Sequence, residues 1–101
     1  SCIILMIENQ NIKNFELVSA YPNPFNSTVY INFNTLKNTN ITLDIVDING
    51  KLIERMIDNI IFYGSNQVVW NAISYPSGIY FVHISSNQKK HKEVQKITYL
   101  K

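Results

Sequence analysis

A chain of 101 residues with a formal net charge of +2 is sized for one domain and one core, without room for a separate catalytic lobe, and its charge is too small to argue for nucleic acid or an anionic membrane. Cys2 is the single cysteine, so no internal disulfide forms, stability rests on packing, and the redox compartment stays open. Ile, Asn, Lys, Tyr and Phe are abundant while Gly, Pro and Arg are few, a β-branched and aromatic enrichment that favours strands.

Residues 1–14 read as the end of a preceding segment and a linker: an apolar run, Ile3-Ile4-Leu5-Met6-Ile7, then the polar Glu8-Asn9-Gln10-Asn11. The run is far short of the ~20 apolar residues that span a bilayer, and it lacks the basic leader and small-residue cleavage site of a signal peptide. A chain opening on Ser1 rather than Met is expected to be a piece of a longer protein.

From Phe15 to Lys101 short apolar runs alternate with turn residues, at the spacing of an all-β domain. A first strand, Phe15 to Ala20, leads into Tyr21-Pro22-Asn23-Pro24-Phe25-Asn26. Two prolines so close fix φ, lack N–H donors and push their predecessors toward extended geometry, so this run is a rigid corner. A second strand, Thr28 to Asn34, alternates Val29, Ile31 and Phe33 against polar neighbours, and a third, Asn40 to Asp47, does so with Ile41, Leu43 and Ile45. Asn49-Gly50 is a strong hairpin signal and predicts a type I′ turn. The fourth strand, Lys51 to Ile57, follows, then a loop from Asp58 to Gly64 and a fifth strand, Asn66 to Asn71, with Val68 and Trp70 on one face.

A second corner, Tyr75-Pro76-Ser77-Gly78, introduces the sixth strand, Ile79 to Ser85. This strand is apolar on both faces, which places it centrally with the last strand as its neighbour. Asn87 to Lys90 then turn the chain into the seventh strand, Glu93 to Leu100. Seven short antiparallel strands predict an immunoglobulin-like β-sandwich with Trp70 as its buried indole.

No catalytic constellation appears in this pattern. There is no Gly-x-Ser-x-Gly elbow, and His83 and His91 have no context of a catalytic base, His83 reading as a packed residue of a central strand. One cysteine and two distant histidines do not make a zinc site. Asp44, Asp47, Asn49 and Gly50 lack the spacing and the distal glutamate of a calcium loop. Lys89-Lys90-His91-Lys92 is the basic cluster, and reads first as a solvated hairpin tip guarding a sheet edge. Asn26-Ser27-Thr28 and Asn40-Ile41-Thr42 fit the glycosylation pattern, a short motif of low specificity. The reading is therefore a non-enzyme with no cofactor and no metal.

Four ordered blocks carry a resemblance: Tyr21 to Thr28 around the proline corner, Asp47-Ile48-Asn49-Gly50-Lys51, Ser77-Gly78-Ile79-Tyr80, and the tail Lys96-Ile97-Thr98-Tyr99-Leu100-Lys101. Over residues 15–101 the chain resembles the type A C-terminal sorting domain of type IX secretion cargo from Gram-negative gliding and related bacteria. It departs from that pattern where Ser27 follows Asn26 directly, a place where the family commonly has another proline.

The resemblance implies a secretion address. Cargo would reach the periplasm through a separate N-terminal signal upstream of Ser1, and the domain would be recognised for passage across the outer membrane to the cell surface or beyond. A sortase-like peptidase would then remove it by cutting before Phe15, often joining the cargo to an anionic lipopolysaccharide. The residues assigned to the signal are Pro22, Asn23, Pro24, Gly50, Gly78, Tyr80, Lys96 and Lys101. The prolines pre-order a corner, the glycines supply turns that other residues would strain, and the tail is the part expected to be read, by strand addition to a receptor. Turn chemistry alone also explains the prolines and glycines, Tyr80 has a core reading with its hydroxyl bonded back to a corner, and Lys101 could simply end an edge strand.

An alternative from another class is an adhesive or carbohydrate-binding sandwich on a surface enzyme, which needs two or more coplanar exposed aromatics on one face. Burial of Trp70, Tyr80 and Phe81 would count against it. A third is a structural spacer resembling the Ig-like domain of flagellar-hook scaffolding proteins. Unpaired sheet edges and the apolar run raise dimerisation of an isolated fragment as a further expectation.

Overall fold

The computed structural model describes residues 14–86 and 91–101. They form an antiparallel sheet of five strands: β1 (Phe15–Tyr21), β2 (Thr28–Asp47), β3 (Leu52–Asn71), β4 (Gly78–Ser86) and β5 (Lys92–Tyr99). The lateral order is β1-β2-β4-β5, with β3 paired to β2. The turn expected at Asn87 to Lys90, half of the basic cluster and nearly all of the linker lie outside the described residues.

The all-β expectation holds, but the strand count does not. The second and third expected strands are halves of β2, and the fourth and fifth, with the expected loop Asp58 to Gly64 between them, form β3. Bulges explain the difference. Between the pairs Thr35↔Gly64 and Thr39↔Phe62, β2 advances four residues while β3 advances two. Between Ile41↔Ile60 and Leu43↔Ile57, β3 carries the surplus, with Asn59 at φ 56° and its N–H donating to Thr42 Oγ1 at 3.2 Å. Surplus residues bend and twist a ladder without ending it. The polar and glycine residues that resemble a loop in sequence are thus a kink in continuous pairing.

The kink folds the β2–β3 ribbon over on itself. Its outer half, Thr28 to Thr35 against Gly64 to Asn71, pairs with β1; its inner half, Ile41 to Asp47 against Leu52 to Ile60, pairs with β4. The result is one curled sheet rather than the expected seven-stranded sandwich. Side chains of both halves meet inside: Val29, Ile31, Phe33, Ile41, Leu43, Ile45, Val82, Ile84 and Ile97 are fully buried, on the faces that period-two alternation assigns to the core. β4 lies between β2 and β5 as expected, with Phe81 and His83 half-buried on its outward face.

The β2–β3 turn departs from type I′. Gly50 N–H donates to Asp47 O at 3.0 Å, and Gly50 alone in the turn has positive φ, 84°. Asp47 Oδ1 accepts from the N–H groups of Asn49 and Lys51, both at 2.9 Å. The aspartate thus closes an ordinary turn with its side chain, leaving only the glycine in the left-handed region.

Candidate recognition site

At one end of the curled sheet the first corner meets the end of the chain. Both of its X–Pro bonds, Tyr21–Pro22 and Asn23–Pro24, are cis, and Pro22, Asn23 and Pro24 are exposed. Phe25 turns inward and is buried, its ring stacked on Tyr99 with centroids 5.1 Å apart and tilted against Trp70 at 5.9 Å. Its backbone forms a parallel bridge with Tyr99: Phe25 N–H donates to Thr98 O at 2.8 Å, and Leu100 N–H donates to Phe25 O at 2.9 Å.

Asn23 extends this pairing by two more bonds. Its Nδ2 donates to Lys96 O at 2.9 Å, and its Oδ1 accepts from Thr98 N–H at 3.0 Å. One carboxamide supplies a donor and an acceptor in the order of a backbone peptide. From Lys96 to Tyr99 the chain is therefore held on both sides, by β4 on one and by Asn23 and Phe25 on the other.

An aromatic cluster lies beneath. Trp70, 1% exposed, packs edge-on to Tyr80 at 5.3 Å and tilted to Tyr75 at 5.7 Å. Glu54, on the opposite half of the ribbon, accepts from Trp70 Nε1 at 3.2 Å and from Tyr75 Oη at 3.3 Å, joining the two halves. Tyr80 Oη donates to Pro76 O at 2.5 Å, which is the bond-back to a corner that its position suggested. Burial, then the charge of Asp47, raises the Tyr80 pKa above its ordinary value of 10.0. Burial, then Glu54, does the same for Tyr75, so both phenols stay protonated as donors.

Seven of the eight assigned residues gather here. Pro22, Asn23 and Pro24 form the corner; Gly78, at φ 151°, pairs with Tyr99, and Tyr80 with Ile97. Lys96 and Lys101 are exposed, with Lys101 Nζ 6.0 Å from the Tyr99 ring centre, within reach of a weak cation–π contact. Gly50 sits at the hairpin turn of the same end, next to Asp47, which pairs with Tyr80. Phe25, Tyr99, Tyr75 and Glu54 are structural members that the sequence reading did not assign. The alternation of Ile97 with Tyr99 marks an inward face, but nothing in the sequence points Glu54 at an indole.

Residues 19–99 of this chain match the family model described as the secretion system C-terminal sorting domain. The chain belongs to that family. As a sorting domain it is a secretion signal of type IX cargo, as the four blocks implied. A similar fold occurs in the solved structure of PorZ, reported as an essential bacterial surface component of the type-IX secretion system of human oral-microbiomic Porphyromonas gingivalis. The TM-score is 0.62 at 22% identity, over 83% of this chain and 11% of the PorZ chain. No curated protein matches the chain.

The aromatic test of the adhesive alternative goes against it for the named residues: Trp70 and Tyr80 are buried and Phe81 is half-buried. Tyr21 and Tyr30 are exposed, but their rings stack on each other at 5.7 Å and 28° instead of lying side by side as a platform. Among the described residues no group of three His, Cys, Asp or Glu could hold a metal, and no helix is long and apolar enough to cross a membrane.

Proposed function

We propose that the address read by the type IX machinery is the joined surface of the proline corner and the tail, with Pro22, Asn23, Pro24, Lys96 and Lys101 facing the receptor. Gly50, Gly78 and Tyr80 hold that surface in shape. The observation that carries this reading is the clamp: Asn23 and Phe25 bond to residues more than 70 positions away, joining two of the blocks that mark the family. A surface already ordered before binding loses little entropy when a receptor docks, which suits a signal shared by unrelated cargoes. The clamp also argues against strand addition at the tail, because both sides of Lys96 to Tyr99 are already bonded.

The same reading takes residues 1–14 as a linker cut by a sortase-like peptidase and residues 15–101 as the sorting domain, non-catalytic and shaped as an Ig-like sandwich whose layers are the two halves of the curled sheet. Transit would run through the periplasm to the cell surface or medium, with an anionic lipopolysaccharide as the conjugate met there. The test is export of a periplasmic reporter carrying this chain at its C-terminus, in a host with a type IX system. Release or surface attachment is expected with the chain and not without it. A stable fusion that stays periplasmic, while a known sorting domain is exported in the same host, would sink the reading.

A further inference from the structure

β3 is hydrogen-bonded to β2 along one side, and among the described residues no strand pairs with its other side. An open edge invites a further strand, and proteins blunt such edges with bulges, charges or prolines. The inner stretch of β3, Leu52 to Ile60, is blunted in this way: three register shifts break its ladder, and it carries Glu54, Arg55 and Asp58. The other edges are guarded too. β1 bulges between Leu17 and Ser19, with Leu17 N–H donating to Glu93 Oε1 at 2.8 Å, and β5 is covered by Asn23 and Phe25.

The outer stretch of β3, Gly64 to Asn71, has none of these devices. Its pairing with β2, from Thr35↔Gly64 to Thr28↔Asn71, runs without a shift, and the segment contains no charge and no proline. Ala72 N–H donates to Ser27 O at 2.7 Å, so by the alternation of an antiparallel ladder the backbone groups of Asn71, Val69, Gln67 and Ser65 point to the open side. The side chains of these residues are exposed and, at period two, share one face. Val69 ends a row on that face: Tyr21 lies opposite Tyr30, and Tyr30 opposite Val69, at 50%, 37% and 46% exposure.

The segment is complementary to itself. Turned antiparallel about a two-fold axis at Val69, it sets Val69 against its own counterpart, Gln67 against Asn71 and Val68 against Trp70, so apolar meets apolar and carboxamide meets carboxamide. An axis at Val68 would instead oppose Val69 to Gln67. With the axis at Val69, the row from Tyr21 through Tyr30 continues across it into the same row of the second copy, and no like charges oppose one another along the joined edges.

We propose that Gly64 to Asn71 is a dimer edge, pairing antiparallel with the same segment of a second copy of this chain in an isologous contact centred on Val69. The proposal stands apart from how corner and tail are read. Sedimentation of the full 101-residue chain from micromolar to millimolar protein is expected to show a monomer–dimer equilibrium, and Val69→Lys, which sets two ammonium groups face to face, should weaken the dimer by about tenfold or more while leaving the thermal transition of the dilute chain in place. In a Cys2→Ser background, Val69→Cys is expected to form disulfide-linked dimers on oxidation much faster than Gln67→Cys, whose two copies would stand about 13 Å apart along the ladder. A chain that stays monomeric at millimolar concentration would overturn the proposal, as would a dimer that Val69→Lys leaves intact or equal cross-linking by the two cysteine variants. Lost export of the Val69→Lys chain alongside a strictly monomeric parent would also overturn it, and would give the edge to a strand of the secretion machinery.

Discussion

The carboxamide of Asn23 donates to Lys96 O and accepts from Thr98 N–H, so Asn23→Ala removes both bonds together. Because the side chain is exposed, water replaces part of what is lost, and a loss of about 1–2 kcal/mol is expected from urea unfolding, at the typical net worth of ~0.5–1.5 kcal/mol per bond. Tyr80 gives a pH signature. Its folded pKa is raised by burial and by Asp47, so its stabilising effect is complete below the unfolded value near 10 and is lost as pH climbs through the folded one. Tyr80→Phe should flatten the alkaline fall in thermal stability while costing about 1 kcal/mol at neutral pH for the bond to Pro76. His83 acts in the other direction. Burial, then Lys92, lowers its pKa against the opposing pull of Asp44. The folded state should therefore weaken as pH falls below about 6.5, and His83→Gln should reduce that weakening in a pH series of melting curves.

At the scale of the elements, the two halves of the folded ribbon are tied by Glu54, which accepts from Trp70 and Tyr75. Glu54→Ala leaves the buried indole N–H without its acceptor, and a loss of about 1–3 kcal/mol is expected in chemical unfolding; an unchanged midpoint would show that the tie is dispensable. Period-two alternation made much of this level readable in the sequence. Val29, Ile31 and Phe33, then Ile41, Leu43 and Ile45, face inward as their spacing indicates, and the doubly apolar β4 is central. Continuity was hidden, because Leu36 to Asn38 and Asp58 to Gly64 have the composition of turns and only long-range pairing shows them to be bulges. The Asn49-Gly50 signal located the turn but not its type, since the side chain of Asp47 decided the geometry. In the site, the corner and tail were each legible as motifs. Their union was not, because it runs through one side-chain amide and a bridge from Phe25 to Tyr99 that no local pattern encodes.

Across the whole molecule, the corner, the tail and the aromatic cluster occupy one end of the curled sheet, and the preceding chain joins at the other, beside Leu36. This arrangement sets the proposed address at the end of the sheet opposite to Phe15. The most direct measurement is reporter export by the Asn23→Ala chain beside the unaltered one, with hydrogen exchange at Thr98 N–H read on the same proteins. If corner and tail are read as one surface, Asn23→Ala should unprotect the Thr98 amide, keep the core folded, and lower export by about tenfold or more, the ratio that ~1.4 kcal/mol represents. Undiminished export from a folded domain whose Thr98 amide exchanges freely would contradict it, and would leave the tail to be read apart from the corner.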